Sequence, residues 1–242
     1  MKAAFAIYKA NWREYVRTPA VLAFTVIMPL VLAIFLSLIM GDQPGFTSEY
    51  YLPNMLGVSL MWLGVFATAQ PLVEQREQKL FRRMAVTPLS RRSMLAGQVA
   101  FRVSIGLGQA ALFLLAGRLG FGLFIQGHPG LLIAATVMGA LVFVTLGYVL
   151  AGLTPNLEAA PLVAQPVQMG MMFLSGTLLP SAMLPVGVRP VVHVVPLTYV
   201  ADALRQTVSA LPPLYPLWID FAAMAGWIVL FSLLSLALFR WE

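Results

Sequence analysis

Cysteine is absent from this 242-residue chain, so disulfides, thiolate metal sites and thiol nucleophiles are excluded. Charge is nearly as scarce. Asp, Glu, Lys and Arg make up 10% of the residues, where a soluble domain carries roughly a quarter. Apolar residues make up 60%, too many for so little charge to cover with a wetted surface. Only two histidines occur, His128 and His193. Neither has a carboxylate cluster or a second histidine at ligand spacing, so no metal or catalytic centre is expected. No G-x-x-x-x-G-K-[ST] sequence occurs either. The chain therefore has no phosphate-cradling loop, and any work it does must be driven from outside it. The net charge of +6 is clustered at the ends of apolar tracts, which suits anionic lipid head groups and not nucleic acid.

What is present is long apolar runs, and they predict an all-α membrane protein with one domain spanning residues 1–242. Six spans are expected, at 20–40, 53–73, 99–122, 131–153, 160–179 and 217–239. About 21 helical residues cover roughly 30 Å, the thickness of the hydrocarbon core. The first tract is too long and too far from the start for a cleaved signal. Arg102 and Arg118 lie near the ends of the third tract, where long side chains can snorkel to either interface. Pro161 and Pro166 should bend or interrupt the start of the fifth. Ahead of the first span, Phe5, Tyr8, Trp12 and Tyr15 share one helical face, and Lys9, Arg13 and Arg17 form a basic stripe. Residues 1–18 thus read as an interfacial helix.

Of the fifteen Lys and Arg residues, twelve fall on one side of this arrangement: Lys2, Lys9, Arg13, Arg17, Arg76, Lys79, Arg82, Arg83, Arg91, Arg92, Arg102 and Arg240. Arg118, Arg189 and Arg205 fall on the other. The bias places both termini in the cytoplasm of a plasma (inner) membrane protein. Two connecting stretches carry structure of their own. Residues 74–92 are charged with both signs, carry Leu80, Phe81 and Met84 as apolar anchors, and stop at Pro88. They fit either a helix that docks into a partner's groove or a solvated basic loop. Residues 180–216 are proline-rich yet apolar. Within them Leu197, Val200, Ala201, Leu204, Val208 and Leu211 share a face opposite Asp202, Arg205, Gln206 and Ser209. A short amphipathic, partly embedded outer helix is expected there. Glu158 and Asp220 are the carboxylates nearest the membrane interior. Both lie near span ends, which favours interfacial roles over a proton relay.

Two regions resemble the ABC-2-type permease family, the transmembrane subunits of ATP-binding-cassette exporters. The first runs from Glu74 through Thr87, Pro88 and Leu89 to Ser90, and is similar to that family's charged segment after the second span. The family commonly has Gly where this chain has Lys79. The second comprises Phe173 to Pro180, then Met183-Leu-Pro185, then Pro196-Leu-Thr-Tyr199, and Asp202 to Arg205. With the N-terminal helix, the resemblance covers nearly the whole chain.

The resemblance implies a permease paired with a second permease, identical or related, among membrane lipids. Each would dock on one of two cytoplasmic ATPase subunits that carry the ATP and Mg, this chain binding no cofactor. Residues 74–92 would form the coupling-helix loop, with Glu74, Glu77, Leu80, Phe81, Arg82, Arg83, Met84, Thr87 and Pro88 at the docking surface. The second and fifth spans would line the substrate path through Thr68, Gln70, Gln165, Gln168, Met169, Met172, Ser175 and Thr177. Residues 180–216 would form an extracellular re-entrant lid bearing Pro180, Pro185, Pro196, Tyr199, Asp202 and Arg205. The implied activity is export of a hydrophobic or amphipathic substrate: a drug, antibiotic or lipid-like molecule. An ion-gradient-driven carrier, a polysaccharide or lipid-linked glycan exporter, and a membrane enzyme or anchor stand as alternatives.

Overall fold

A computed structural model describes residues 2–40, 47–80, 91–123, 127–180 and 183–238. Every element among them is helical. In chain order they are α1 (Lys2–Arg17), α2 (Pro19–Met40), α3 (Ser48–Glu77), α4 (Arg91–Phe121), α5 (Pro129–Leu153), α6 (Ala159–Leu174), α7 (Arg189–Val192), α8 (Pro196–Val208) and α9 (Leu217–Leu238). Five of them, α2, α3, α4, α5 and α9, are long and apolar enough to cross a membrane. The expected fifth span is shorter. At 16 residues, α6 measures about 24 Å, less than the hydrocarbon core.

The centre of the molecule is α3, whose residues Tyr50 to Val65 are all buried. It packs along α5 more extensively than any other pair. Small residues allow this. A Cβ on Gly64 would stand 2.5 Å from the Phe143 carbonyl carbon and 2.7 Å from the Val144 nitrogen. One on Gly147 would stand 2.8 Å from the Thr68 Cβ. Only glycine permits so close an approach, the usual means of joining helices where lipid supplies no hydrophobic driving force. Helices α2, α4, α6 and α8 surround α3, and α9 covers α5. The outward faces of α2 and α9 carry Phe35, Leu38, Trp218, Leu233 and Leu236, all exposed, as a lipid-facing surface requires.

The amphipathic helix expected at the N-terminus is α1, and its aromatic face has a specific seat. Tyr8, Trp12 and Tyr15 meet Phe101 of α4 edge-on, at centroid distances of 6.2, 6.1 and 5.7 Å, the favoured geometry for ring pairs. Tyr15 also hydrogen-bonds Thr25 at 2.7 Å. Phe5 stays exposed.

Proline explains two further contacts. A proline inside a helix leaves the carbonyl four residues earlier without its amide partner. In α2, Pro29 frees the carbonyl of Thr25, within the π-helical turn Ala23–Ile27. That oxygen accepts from Ser59 Oγ at 2.7 Å and from Gln109 Nε2 at 3.0 Å. In α3, Pro71 frees the carbonyl of Ala67, which accepts from Arg102 Nη2 at 2.9 Å. Arg102 also donates to Gln98 O at 3.2 Å and is 4% exposed. The snorkelling expected of it does not occur, because the proline offers it a carbonyl inside the bundle. Pro161 and Pro166, by contrast, leave α6 unbroken.

Candidate transport site

The sequence placed the transport chemistry at three levels: where α3 ends, along α3 and α6, and around α8. At the first level, α3 ends at Glu77, and Lys79 follows in the left-handed region at φ 54°. Its N–H bonds Arg76 O at 3.0 Å, a helix stop that favours glycine. Glycine is the residue the resemblance expects here. Glu74 accepts from Gln78 Nε2 at 3.1 Å, and Glu77 accepts from the Leu157 amide at 2.8 Å. Arg76 donates to the carbonyls of Ala151 (3.3 Å), Thr154 and Pro155 (3.0 Å). Leu80 is half-buried. Phe81, Arg82, Arg83, Met84, Thr87 and Pro88, and with them most of the expected coupling-helix loop, lie outside the described residues.

At the second level, a cleft of about 630 Å³ opens among α1, α2, α3, α4 and α6, within the size range of small-molecule sites. Aromatic rings of Tyr15, Phe24, Phe66 and Phe101 wall it, and amides of Gln70 and Gln165 reach it. Gln165 and Phe24 also border a small hollow with Trp62, Gln168, Met169 and Met172. Further along, Ser175 lines a second cavity of about 350 Å³. Of the predicted path residues, those on and just beyond α6 therefore mark a line between two cavities. Thr68 does not join it, being fully buried where α3 crosses α5.

At the third level, the end of α6 is built from three consecutive carbonyls. Gly176, at φ +77°, stops the helix. Ser175 O accepts from Thr198 Oγ1 at 3.3 Å, Gly176 O from the Tyr50 hydroxyl, and Thr177 O from Asn54 Nδ2 at 3.3 Å. Thr177 Oγ1 caps Met172 O at 2.9 Å. Donors from α3 and α8 thus fix the segment that follows α6. Pro180 borders the same cavity. Pro185 accepts from the amides of Val188 and Arg189, at 2.8 and 3.3 Å, leading into α7.

In α8 the apolar face is buried as expected, with Leu197, Val200 and Leu204 at zero exposure. The polar face departs from expectation. Asp202 is 1% exposed, not solvated. It pairs with Arg205 and accepts from the amides of Leu214 (3.1 and 3.0 Å) and Tyr215 (3.0 Å). Asp220, at zero exposure, accepts from Gln206 Nε2 at 2.7 Å, and the same nitrogen lies 3.2 Å from Asp202. The loop 211–215 folds over α8 and hides what the periodicity alone left facing water. Pro196 opens α8 as its first residue, a position where the missing N–H is no loss. Tyr199 donates to His193 O at 2.5 Å and stacks on Tyr215, 5.4 Å between centroids. Burial, then the neighbouring Tyr199, pushes the Tyr215 hydroxyl up to about 12, and that hydroxyl is hydrogen-bonded with His193 Nδ1.

The sequence model of the ABC-2 type transporter matches residues 2–209. The chain belongs to the ABC-2 type transporter family. No curated protein matches it.

An ABC-2 membrane domain is the permease component of its transporter and not the ATPase, and it works with an ATPase partner. The match begins at the first residue of α1 and ends just past α8. Both α1 and α8 therefore lie within the matched ABC-2 region. Sequence reasoning missed one element of the site: the grip of Arg76 on the turn between α5 and α6. Only the run of carbonyls left free at the end of a helix signals that such a cation is wanted.

Proposed function

We propose that this ABC-2 permease exports a hydrophobic or amphipathic molecule from the cytoplasm or inner leaflet, driven by a separate ATPase bound at residues 74–90. One observation carries the reading: the 630 Å³ cleft, walled by aromatic rings with Asn11, Glu14, Gln70, Glu74, Arg102 and Gln165 as its main polar groups, opens between α1 and the later half of α3. That is the end bearing Lys9, Arg13, Arg17 and Arg76, which the charge bias assigns to the cytoplasm. The rings, and Met169 and Met172 in the adjoining hollow, suit a ligand with large apolar area, while Gln70 and Gln165 can orient a polar group. At the other end, the carbonyls after α6 are held by Tyr50, Asn54 and Thr198. The open cleft at the end assigned to the cytoplasm supports loading from inside.

The same bonds support a sixth span. Irregular backbone at membrane depth is tolerated only where protein satisfies it, and Ser175, Gly176 and Thr177 meet that condition. Two permeases, this chain with an identical or related one, and two ATPases complete the complex. The test is purification with the ATPase partner. Charge reversal at Arg82 and Arg83 should abolish co-purification and stimulated hydrolysis. In inverted vesicles an amphipathic dye should accumulate only with ATP. Uptake driven by a proton gradient without ATP refutes the proposal.

A further inference from the structure

Along the chain, the segment after α3 and the helix that lines the substrate line, α6, are separated by the whole of α4 and α5. Covalently, force entering after α3 has no direct route to α6. The structure supplies one. Arg76, on the last turn of α3, donates to three carbonyls at the end of α5: Ala151, Thr154 and Pro155. A helix C-terminus has carbonyls without amide partners and partial negative charge, so a guanidinium there is both bonded and electrostatically favoured. Next to it, Glu77 accepts the amide of Leu157 at 2.8 Å. Asn156, between these anchor points, accepts the Ala159 amide at 2.9 Å and so starts α6. The turn 154–158 is therefore held at both ends by two consecutive residues of α3 and feeds directly into α6.

We propose that Arg76 and Glu77 form a clamp that makes α6 move with the end of α3, transmitting displacement of the coupling segment to the substrate line. They are positioning residues. Glu77, which the family resemblance assigned to ATPase contact, serves here as an intramolecular acceptor. Four charge-assisted hydrogen bonds to backbone are stiff compared with a packed apolar contact, because each has one short geometry. The clamp rests on the chain being an ATP-driven permease, but its mechanical part can be read without transport.

The absence of cysteine makes the experiment clean. Spin labels on cysteines introduced at Gln78 and Leu162, both exposed, report the separation of α3 and α6. In the full-length parent the distance distribution should be narrow. Arg76→Gln should broaden it, and in the complex should lower transport about tenfold or more. Transport within twofold of the parent, or an unbroadened distribution, overturns the clamp. Where Arg76→Gln fails to fold, the neighbouring residue decides. Glu77→Gln keeps a carbonyl acceptor for Leu157, whereas Glu77→Ala does not. The clamp expects broadening in Glu77→Ala alone. Equal behaviour of the two overturns it. A parent that shows no ATP-dependent transport refutes the permease reading instead, and the label distances still report on the clamp.

Discussion

Thr25 O is a single oxygen with two donors, Ser59 and Gln109, and this redundancy has a measurable form. Either donor alone still leaves the carbonyl bonded, so Ser59→Ala and Gln109→Leu should each cost under about 1 kcal/mol. Removing both strands a buried carbonyl, which costs about 1–3 kcal/mol beyond the sum. Thermal unfolding of the four proteins in detergent checks this double-mutant cycle, and simple additivity counts against it. At Lys79 the backbone, not the side chain, sets the outcome. Left-handed φ is costly for a residue with a Cβ and worst for a branched one. Lys79→Val should lower stability by about 1–2 kcal/mol, while Lys79→Gly should leave it unchanged or raised. A loss in Lys79→Gly contradicts the helix-stop assignment.

Between elements, the α3–α5 crossing is the least forgiving contact. Gly147→Ala sets a methyl against Thr68 and the α3 backbone, and overpacking of this kind costs about 1–3 kcal/mol or more. Gly226→Ala, with nothing within 4 Å of its added Cβ, should be neutral or stabilising by up to about 1 kcal/mol. Comparing their melting temperatures separates crowding from a general sensitivity of glycines. The helices themselves were readable from apolar periodicity and length, as was the aromatic face of α1. The end of α6 was not, because hydropathy continues through Leu178 and Leu179 while the backbone stops at Gly176. Arg102 was misread for a related reason. Pro71 announces a free carbonyl at Ala67, but nothing local says which distant cation fills it. The polar face of α8 was identified correctly as a face, yet its burial depends on a proline-rich loop that periodicity cannot place. Among the expected path residues, Gln165, Gln168, Met169, Met172 and Ser175 border cavities while Thr68 is packed against Gly147, a difference that sequence alone does not show, since a threonine facing a pore and one wedged against a glycine look the same.

At the scale of the molecule, the number of crossings decides the architecture. Glu158 and Val186 flank α6, and both are exposed. If α6 and the segment after it cross, single cysteines at these two positions should react with an impermeant maleimide from opposite sides of intact cells or inverted vesicles. Labelling from the same side leaves five spans. The proline in α2 reaches further, into how the chain is made. This helix leaves the ribosome before α3 and α4, with Pro29 already in place and the donors to Thr25 not yet synthesised. In bilayer hydrocarbon an unmet carbonyl costs several kcal/mol, so α2 is a reluctant first passenger until α3 and α4 arrive beside it. Nascent chains halted before residue 59 should therefore integrate poorly, and Pro29→Ala should rescue them. Order of arrival is thus built into a single ring closure near the start of the chain.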